Sequence, residues 1–187
     1  MLNYNTLSKD ELNHNGLSIR EISPIMKLNL RGKKREFFTV VGKNLNMILP
    51  TEPNTSTTSD KLTGIWLSPD EWMIVSNELV NKDTNKYELN EILFNSISKT
   101  NLGAVTDVTD QFVQLELKGK NIYEIFSAGC PFNFNEFKEK KGSTTQTVLN
   151  HIDVILHHKE ENVVNIFVRR SFAEHLWSWV EDSASRL

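Results

Sequence analysis

The residues of this chain that could do chemistry are few and scattered. Cys130 is the only cysteine and stands before Pro131 among apolar neighbours, so we interpret it as structural rather than as a nucleophile. His157 and His158 are consecutive in a probable strand, where neighbouring side chains point to opposite faces. They cannot jointly bind one metal ion in the usual way, and the pattern indicates no nucleophilic or multi-ligand metal centre.

Two carboxylates and two Gly-Lys dipeptides are the remaining candidates for a ligand site. Asp107 and Asp110 lie three residues apart in a Val-Thr-Asp-Val-Thr-Asp segment, and could act as acid, base or ligand clamp, although turn capping is the favoured role. The dipeptides Gly32-Lys33 and Gly119-Lys120 lack the rest of a phosphate-binding loop. No G-x-G-x-x-G follows any predicted strand, so the sequence indicates no nucleotide site.

Composition excludes several classes of protein. The chain has 187 residues, of which 39% are hydrophobic and 24% charged, within the range of globular domains. Its longest apolar runs fall far short of the ~18 residues that cross a bilayer, and its N-terminal segment lacks the features of a signal peptide. The net charge of −3 gives no general attraction to nucleic acid or to a membrane. With its single cysteine, we expect a cytoplasmic protein whose partners are small molecules or proteins.

The elements that must position any site are predicted from hydrophobic periodicity. Alternation predicts strands over residues 26–31, 62–67, 72–76, 112–117, 144–150, 152–158 and 163–169. Helical spacing predicts helices over 84–98 and 120–128, and a terminal helix capped by Ser171. The inward face of that helix would carry Phe172, His175, Leu176, Trp179 and Val180. Residues 49–60 are predicted to form a loop. For the preceding residues 37–49, periodicity does not distinguish a helix from a strand. The mixture predicts an α+β fold that is largely antiparallel.

The two halves of the chain share an order of elements. Each contains a Leu-x-Leu-x-Gly-Lys strand, at residues 28–33 and 115–120, followed by a linking segment, a hairpin and a helix. We therefore expect a degenerate internal duplication, with halves of about 19–102 and 103–187 in a single α+β domain. Residues 1–18 are polar and lack periodicity, which predicts a flexible N-terminal tail.

Aromatic and proline residues supply the candidates for contact with a partner. Trp177 and Trp179 lie two apart on the terminal helix, so they diverge by about 200° and cannot both face one core. The prolines of the loop over residues 49–55 make it rigid enough to dock with little ordering cost. The candidate partner interface consists of Leu49, Pro50, Pro53, Trp177 and Trp179.

Six segments of the chain resemble successive signatures of the gamma subunit of heterotetrameric sarcosine oxidase, and they occur in family order. They are residues 28–32, 49–55, 66–72, 105–110, 128–131 and 170–173. The second half also resembles the wider superfamily of the glycine cleavage system aminomethyltransferase and folate-binding proteins, whose fold is an α+β duplication. Those relatives carry a Tyr-Thr-Gly-Glu type segment where this chain has residues 157–162, so the comparison does not favour folate binding by this chain.

The resemblance implies a non-catalytic subunit of a complex that oxidises sarcosine to glycine and hydrogen peroxide. The one-carbon unit would leave as formaldehyde or as 5,10-methylenetetrahydrofolate. The implied partners are the alpha, beta and delta subunits, which would hold FAD, FMN, NAD, zinc and tetrahydrofolate, with no cofactor or metal in this chain. Two alternatives stay open: a stand-alone folate-binding one-carbon-transfer protein of the same fold, and an assembly factor for another complex.

Overall fold

The computed structural model describes residue 7 and residues 11–14, 16–22, 25–77 and 88–187. The chain divides into two compact units. We name Pro24–Asp110 the central unit, and Met1–Ser23 together with Gln111–Leu187 the outer unit. No helix in the described part of the chain is both long and apolar enough to span a membrane.

Eleven strands and four α-helices make up these described residues. In chain order they are β1 (Leu12–His14), β2 (Leu17–Ile22), β3 (Lys27–Gly32), α1 (Arg35–Leu45), β4 (Ser56–Thr58), β5 (Leu62–Ser68), β6 (Glu71–Ser76), α2 (Glu88–Leu93), β7 (Gly103–Asp107), β8 (Phe112–Gly119), α3 (Ile122–Gly129), β9 (Thr144–Leu149), β10 (Ile152–Glu160), β11 (Val163–Arg169) and α4 (Arg170–Ser185). Helix α2 continues into a π-helical segment, Phe94–Ser98.

The central unit is a five-stranded antiparallel sheet in the order β4-β5-β6-β3-β7. Its succession β3-α1-β5-β6-α2-β7 is the split β-α-β arrangement of ferredoxin-like folds, with β4 added at one edge. Strand β3 lies between β6 and β7, and its Leu28 and Leu30 are completely buried. The core of the unit therefore assembles around the first Leu-x-Leu strand.

The outer unit repeats this arrangement in a six-stranded antiparallel sheet, in the order β1-β2-β8-β11-β10-β9. Strand β8 occupies the place of β3, the hairpin β10-β11 that of β5-β6, and α3 and α4 those of α1 and α2. The α+β duplication predicted from the sequence is confirmed. At the position equivalent to that of β7, the strand paired with β8 is β2, which precedes the first repeat in the sequence.

The boundaries of the two repeats differ from the predicted ones. Strand β7 pairs with β3 from Leu28 to Gly32, so residues 103–107 belong with the first repeat rather than the second. The predicted flexible tail over residues 1–18 does not hold for residues 12–14 and 17–18, which are in strands. Leu17 and Ile19 are buried in the core of the outer unit, and this burial draws β2 into the sheet.

Two helices were predicted incompletely. Residues 37–49, left open between helix and strand, are mostly helical: Phe37, Val41 and Leu45 recur every four residues on the buried face of α1. The helix predicted over 84–98 is seen from Glu88 onward, and its proposed N-caps, Asp83 and Thr84, lie outside the described residues.

The terminal helix α4 differs from its prediction in start and in phase. It begins at Arg170, directly after β11, without a side-chain cap, so Ser171 is not the N-cap. Its buried face consists of Ala173, Leu176, Trp177, Val180 and Ala184. A prediction based on large apolar side chains overlooked the two alanines and placed Phe172 and His175 inward, whereas both are exposed.

Trp72 is the centre of the aromatic packing in the central unit. It is 1% exposed, and its ring lies 5.8 Å from the ring of Phe37 and 5.2 Å from that of Phe38, between centroids. Its Nε1 donates a hydrogen bond to the carbonyl oxygen of Pro50 over 2.8 Å. A Cβ atom at position 32 would lie 2.4 Å from the Phe37 ring. Gly32, at the end of β3, therefore leaves the space that this packing needs.

We expect Trp72→Ala to lower the free energy of unfolding by ~3 to 5 kcal/mol, because it leaves a large cavity beneath α1. Trp72→Phe is the matched control: it keeps most of the ring but loses the hydrogen bond to Pro50, and should cost ~1 to 2 kcal/mol. Urea unfolding measures both. An alanine variant as stable as the wild type would show that Trp72 does not organise this core.

Candidate functional site

Asp107, one of the two carboxylates predicted as possible catalytic groups, caps a turn. Oδ1 of Asp107 accepts a hydrogen bond from the Thr109 backbone N–H over 2.9 Å. The Thr109 hydroxyl oxygen in turn accepts from the backbone N–H of Lys27 over 3.0 Å, which ties the turn to β3. The turn-capping interpretation of Asp107 is therefore confirmed.

The two histidines of β10 lie on opposite faces of the sheet, as predicted. His158 packs its ring 5.8 Å from that of Phe137, and its Nδ1 donates to the carbonyl oxygen of Lys140 over 3.0 Å. His157 faces the other side. Burial, reinforced by the positive charges of His158 and Lys159, lowers the pKa of His157 to about 4. Both imidazole rings have structural roles. Within the described ranges, no group of three His, Cys, Asp or Glu side chains could hold a metal ion.

Cys130 is half-buried at the end of α3, with its Sγ 3.4 Å from the hydroxyl oxygen of Thr147 on β9. It links the helix to the edge of the sheet, which agrees with a structural role. The glycines of the two Gly-Lys dipeptides also have structural roles. A Cβ at Gly119 would stand 2.3 Å from the carbonyl oxygen of Gly16, in the turn just before the neighbouring strand β2. Gly32 and Gly119 therefore allow close approaches inside the two repeats and do not form phosphate loops.

A row of polar residues crosses the six-stranded sheet of the outer unit, on the face that carries Glu116. This row was not predicted from the sequence. Successive cross-strand pairs place in one line Arg20, Glu116, Asn165, His157 and Thr144. All but Arg20 are buried. The equivalent row of the central unit is Thr106, Asn29, Met73, Ile65 and Ser56, with two apolar side chains in its centre. The alternation of residues 112–117 predicted that Gln114 and Glu116 share a face, but not that the face is buried.

Glu116 is the electrostatic centre of this row. Arg20 donates to Oε1 from Nε over 2.8 Å and also from Nη2, and Lys159 donates to Oε2 over 2.8 Å. Burial alone would raise the pKa of Glu116, but the hydrogen bonds from Lys159 and Arg20 outweigh it and hold the pKa below its ordinary value. Both oxygens of the Glu116 carboxylate accept hydrogen bonds from cationic side chains. The carboxylate therefore connects β2 and β10 to β8 and is not available as a general acid or base.

Two other acceptors on this face have no hydrogen-bond partner among the described residues: Oε1 of Gln114 and Oδ1 of Asn165. Both atoms are fully buried. Leaving such an oxygen unpaired costs about 1 to 3 kcal/mol, so the row stabilises the sheet less than its ion pairs alone suggest.

The residues predicted to contact a partner separate into two groups. Leu49, Pro50 and Trp177 are buried, which corrects their assignment to an exposed interface. Leu49 lies in the core of the central unit and Trp177 in that of the outer unit. Pro53 is exposed and Trp179 half-buried, so both remain available. The prediction placed Trp179 on the inward face of the terminal helix and held that only one of the two tryptophans could face the core. Instead Trp177 is the buried member, and the half-buried Trp179 packs against the same core.

The loop after α1 is held at both ends. We name residues 48–55 the anchored loop. The Pro50 carbonyl accepts from Trp72, the Thr55 carbonyl accepts from the backbone N–H of Trp66 over 3.0 Å, and the Thr55 hydroxyl donates to the carbonyl of Glu52 over 2.7 Å. Asn54 adopts the left-handed conformation, with φ of 59°. The tip at residues 51–54 is exposed yet fixed in shape.

Ile48, at the start of this loop, was not among the predicted contacts. It is 82% exposed, although it lies between Met47 and Leu49, which are both buried. The signal in the sequence was weak, because a continuous apolar Met-Ile-Leu run does not tell which member faces outward.

Aromatic side chains line one edge of α4, where Phe172 and His175 are exposed and Trp179 is half-buried. Phe172, His175 and Trp179 recur at helical spacing, and Phe172 is half exposed. Trp179 is seated against Gly129, where a Cβ would stand 2.6 Å from its ring. Gly129 belongs to one of the segments that carry the family resemblance, and its lack of a side chain fixes the position of Trp179.

Four of the six resemblance segments lie in the central unit and contact one another. Glu71 in the β5-β6 hairpin pairs with Arg31 over 3.2 Å, and Asp70 pairs with Lys33 over 3.3 Å. Hydrogen bonds from Ser68 and Lys33 hold the pKa of Asp70 below its ordinary value. The resemblance therefore reflects a connected structure rather than isolated matches.

We expect the buried His157 to make stability depend on pH. Its pKa is about 4 in the folded chain and close to 6.5 when unfolded, so protons bind preferentially to the unfolded state between these values. The free energy of unfolding should fall by about 2 kcal/mol between pH 7.5 and pH 5 through this group alone. Urea unfolding at both pH values measures the fall.

The exposed His175 provides the control for this measurement. His157→Gln should remove about 2 kcal/mol of the pH dependence, whereas His175→Gln should leave it unchanged. Equal pH dependence in wild type and His157→Gln would contradict the burial of a neutral imidazole at this position.

Comparisons with known proteins agree on the fold. The chain is similar to heterotetrameric sarcosine oxidase from Corynebacterium sp. U-96 in complex with pyrrole 2-carboxylate, with 22% identity and a TM-score of 0.81 over 94% of this chain and 87% of that chain. It is also similar to glycine cleavage system aminomethyltransferase T from Bartonella henselae, with 17% identity and a TM-score of 0.63 over 92% of this chain and 50% of that chain. The chain thus spans half of the aminomethyltransferase.

Membership of a family rests on a separate comparison. No curated protein sequence matches the chain. The family model described as sarcosine oxidase, gamma subunit family, matches residues 32–186 of the 187. Because this match covers most of both units, the chain belongs to the sarcosine oxidase gamma subunit family.

Proposed function

We propose that this chain acts as the gamma subunit of a heterotetrameric sarcosine oxidase and contributes no catalytic group to it. The observation that carries the proposal is the family match over residues 32–186. The chemistry of the chain supports it. Asp107 caps a turn, His158 holds a loop, and both oxygens of Glu116 are engaged by cations.

In this proposal the reaction takes place on other chains. The alpha, beta and delta subunits would hold FAD, FMN, NAD, zinc and tetrahydrofolate. The assembled complex would oxidise sarcosine to glycine and hydrogen peroxide in the cytoplasm, with the one-carbon unit leaving as formaldehyde or as 5,10-methylenetetrahydrofolate. The similarity to a heterotetrameric sarcosine oxidase supports the existence of partner subunits.

In this proposal the chain contributes binding surfaces of fixed shape to the complex. Both predicted contact regions retain exposed members: Pro53 on the anchored loop and Trp179 in the aromatic edge of α4. Each is positioned by contacts beneath it, through Trp72 for the loop and through Gly129 for Trp179. Surfaces fixed in advance bind with less loss of conformational entropy, which suits a subunit that holds larger chains in register.

The alternative of a stand-alone folate-binding one-carbon-transfer protein is not favoured. The family match is to gamma subunits rather than to aminomethyltransferases, of which the chain spans only half. Where the folate-binding relatives carry an acidic turn, this chain continues β10 through His157 and His158 to Glu160.

Co-expression tests the proposal. The chain produced with alpha, beta and delta subunits should co-elute with them in size-exclusion chromatography, and the assembly should produce peroxide from sarcosine. The purified chain alone should be colourless and inert. Flavin absorbance or peroxide production by the chain alone would refute the non-catalytic role, and elution apart from all three subunits would refute the assembly.

Replacement of Trp179 tests the aromatic edge. We expect Trp179→Glu to weaken assembly by about tenfold or more, because aromatic residues at an interface centre commonly carry much of its binding energy. Trp177→Glu is the contrasting variant and should unfold the outer unit, because Trp177 is buried. If Trp179→Glu melts like the wild type and assembles with unchanged affinity, the edge of α4 is not part of the interface.

A further inference from the structure

The region around the anchored loop is depleted of charge. Between Asn44 and Ser59 the only ionisable side chain is Glu52, in a chain of which 24% is charged. Ordinary exposed loops are rich in charged residues, whereas the centres of protein interfaces are depleted of them. Several members of this segment are buried, and its exposed residues have the low charge that is typical of a surface covered by another protein.

Ile48 gives the same indication from packing. Its neighbours Met47 and Leu49 face the core, so the backbone directs the side chain at position 48 outward. With 82% of the residue exposed, the fold of this chain gains little from an isoleucine there, and a polar residue would serve equally well. An aliphatic side chain presented in this way is suited to an apolar depression on another molecule.

Glu52 adds a negative charge to this loop. It forms no ion pair with any residue in the described part of the chain. It lies at the tip whose shape is fixed by Trp72, Trp66 and Thr55. It lies four positions after Ile48, so their Cα atoms are at most about 14 Å apart, within the span of one interface.

We propose that Ile48 and the tip of the anchored loop dock onto another subunit of the complex. The site on that subunit is an apolar depression that receives Ile48 and Pro53, with a lysine or arginine that pairs with Glu52. This inference rests on the proposed function, since it names the surface through which the chain would join its partners. A loop already held at both ends loses little entropy on docking, which favours it as an anchor.

Three variants and one control test the docking surface in the co-expressed complex. Ile48→Glu removes the apolar contact, Glu52→Lys reverses the charge, and Glu52→Gln removes it. Leu187→Glu makes an equivalent change at another exposed aliphatic residue, in the outer unit. The measurements are the dissociation constant of the complex at low and high salt, and the thermal midpoint of each isolated variant.

We expect Ile48→Glu and Glu52→Lys to weaken assembly about tenfold or more, with thermal midpoints like that of the wild type. Glu52→Gln should bind with a smaller dependence on salt than the wild type, because one charge pair is lost. Leu187→Glu should behave as the wild type. Wild-type affinity and wild-type salt dependence in all three loop variants would overturn the docking surface while leaving the proposed function intact.

Two other results would overturn the proposal differently. A wild-type chain that fails to join any of the other subunits would refute the proposed function, and the docking surface with it. If the wild-type chain alone forms dimers that Ile48→Glu disrupts, the loop binds a second copy of this chain rather than another subunit.

Discussion

Each unit depends on one strand that is paired on both sides and covered by helices. Strands β3 and β8 have neighbours at both edges, and all four leucines of their Leu-x-Leu motifs are completely buried. Burying a leucine side chain contributes about 1.5 to 3 kcal/mol, so these positions fix the register of both neighbouring strands and of the helices above. The glycines that end the motifs, Gly32 and Gly119, allow close approaches that no larger residue would permit.

Both repeats keep this buried central strand, but the sheet faces opposite to the buried leucines differ between the two units. In the central unit the middle of the cross-strand row is apolar, whereas in the outer unit it carries Glu116, Asn165 and His157. Buried ion pairs contribute little net stability, because the cost of desolvation offsets most of the attraction between charges. The polar row therefore distinguishes one repeat from the other, and through Arg20 and Glu116 it connects β2 to β8.

Local patterns predicted most of the elements, and the misses have physical causes. The Leu-x-Leu strands, both hairpins and α3 could be predicted because alternation and turn residues are encoded within a few positions. Strand β2 could not, because its pairing partner β8 is about a hundred residues away in sequence and the polar residues around it conceal the burial of Leu17 and Ile19. The buried face of α4 was misplaced because small alanines pack as closely as large side chains.

The sequence indicated that the loop is a candidate contact surface, but not which of its residues are exposed. Two prolines marked the loop as rigid, but whether Leu49 or Ile48 faces outward depends on how α1 ends at Asn46, in the left-handed conformation. That geometry is a property of the three-dimensional fold. Charge depletion, by contrast, is visible in the sequence itself, and a search for uncharged stretches bounded by charged ones would have found the segment.

The position of β2 has a consequence for the order in which the protein forms during synthesis. The partner of Arg20, Glu116, follows 96 residues later. The segment with Leu17 and Ile19 must therefore leave the ribosome long before its partner strand, while the intervening central unit has all of its own strands and can fold first. Until β8 has been synthesised, β2 lacks this partner strand, so the sheet of the outer unit can be completed only after the second half of the chain has emerged.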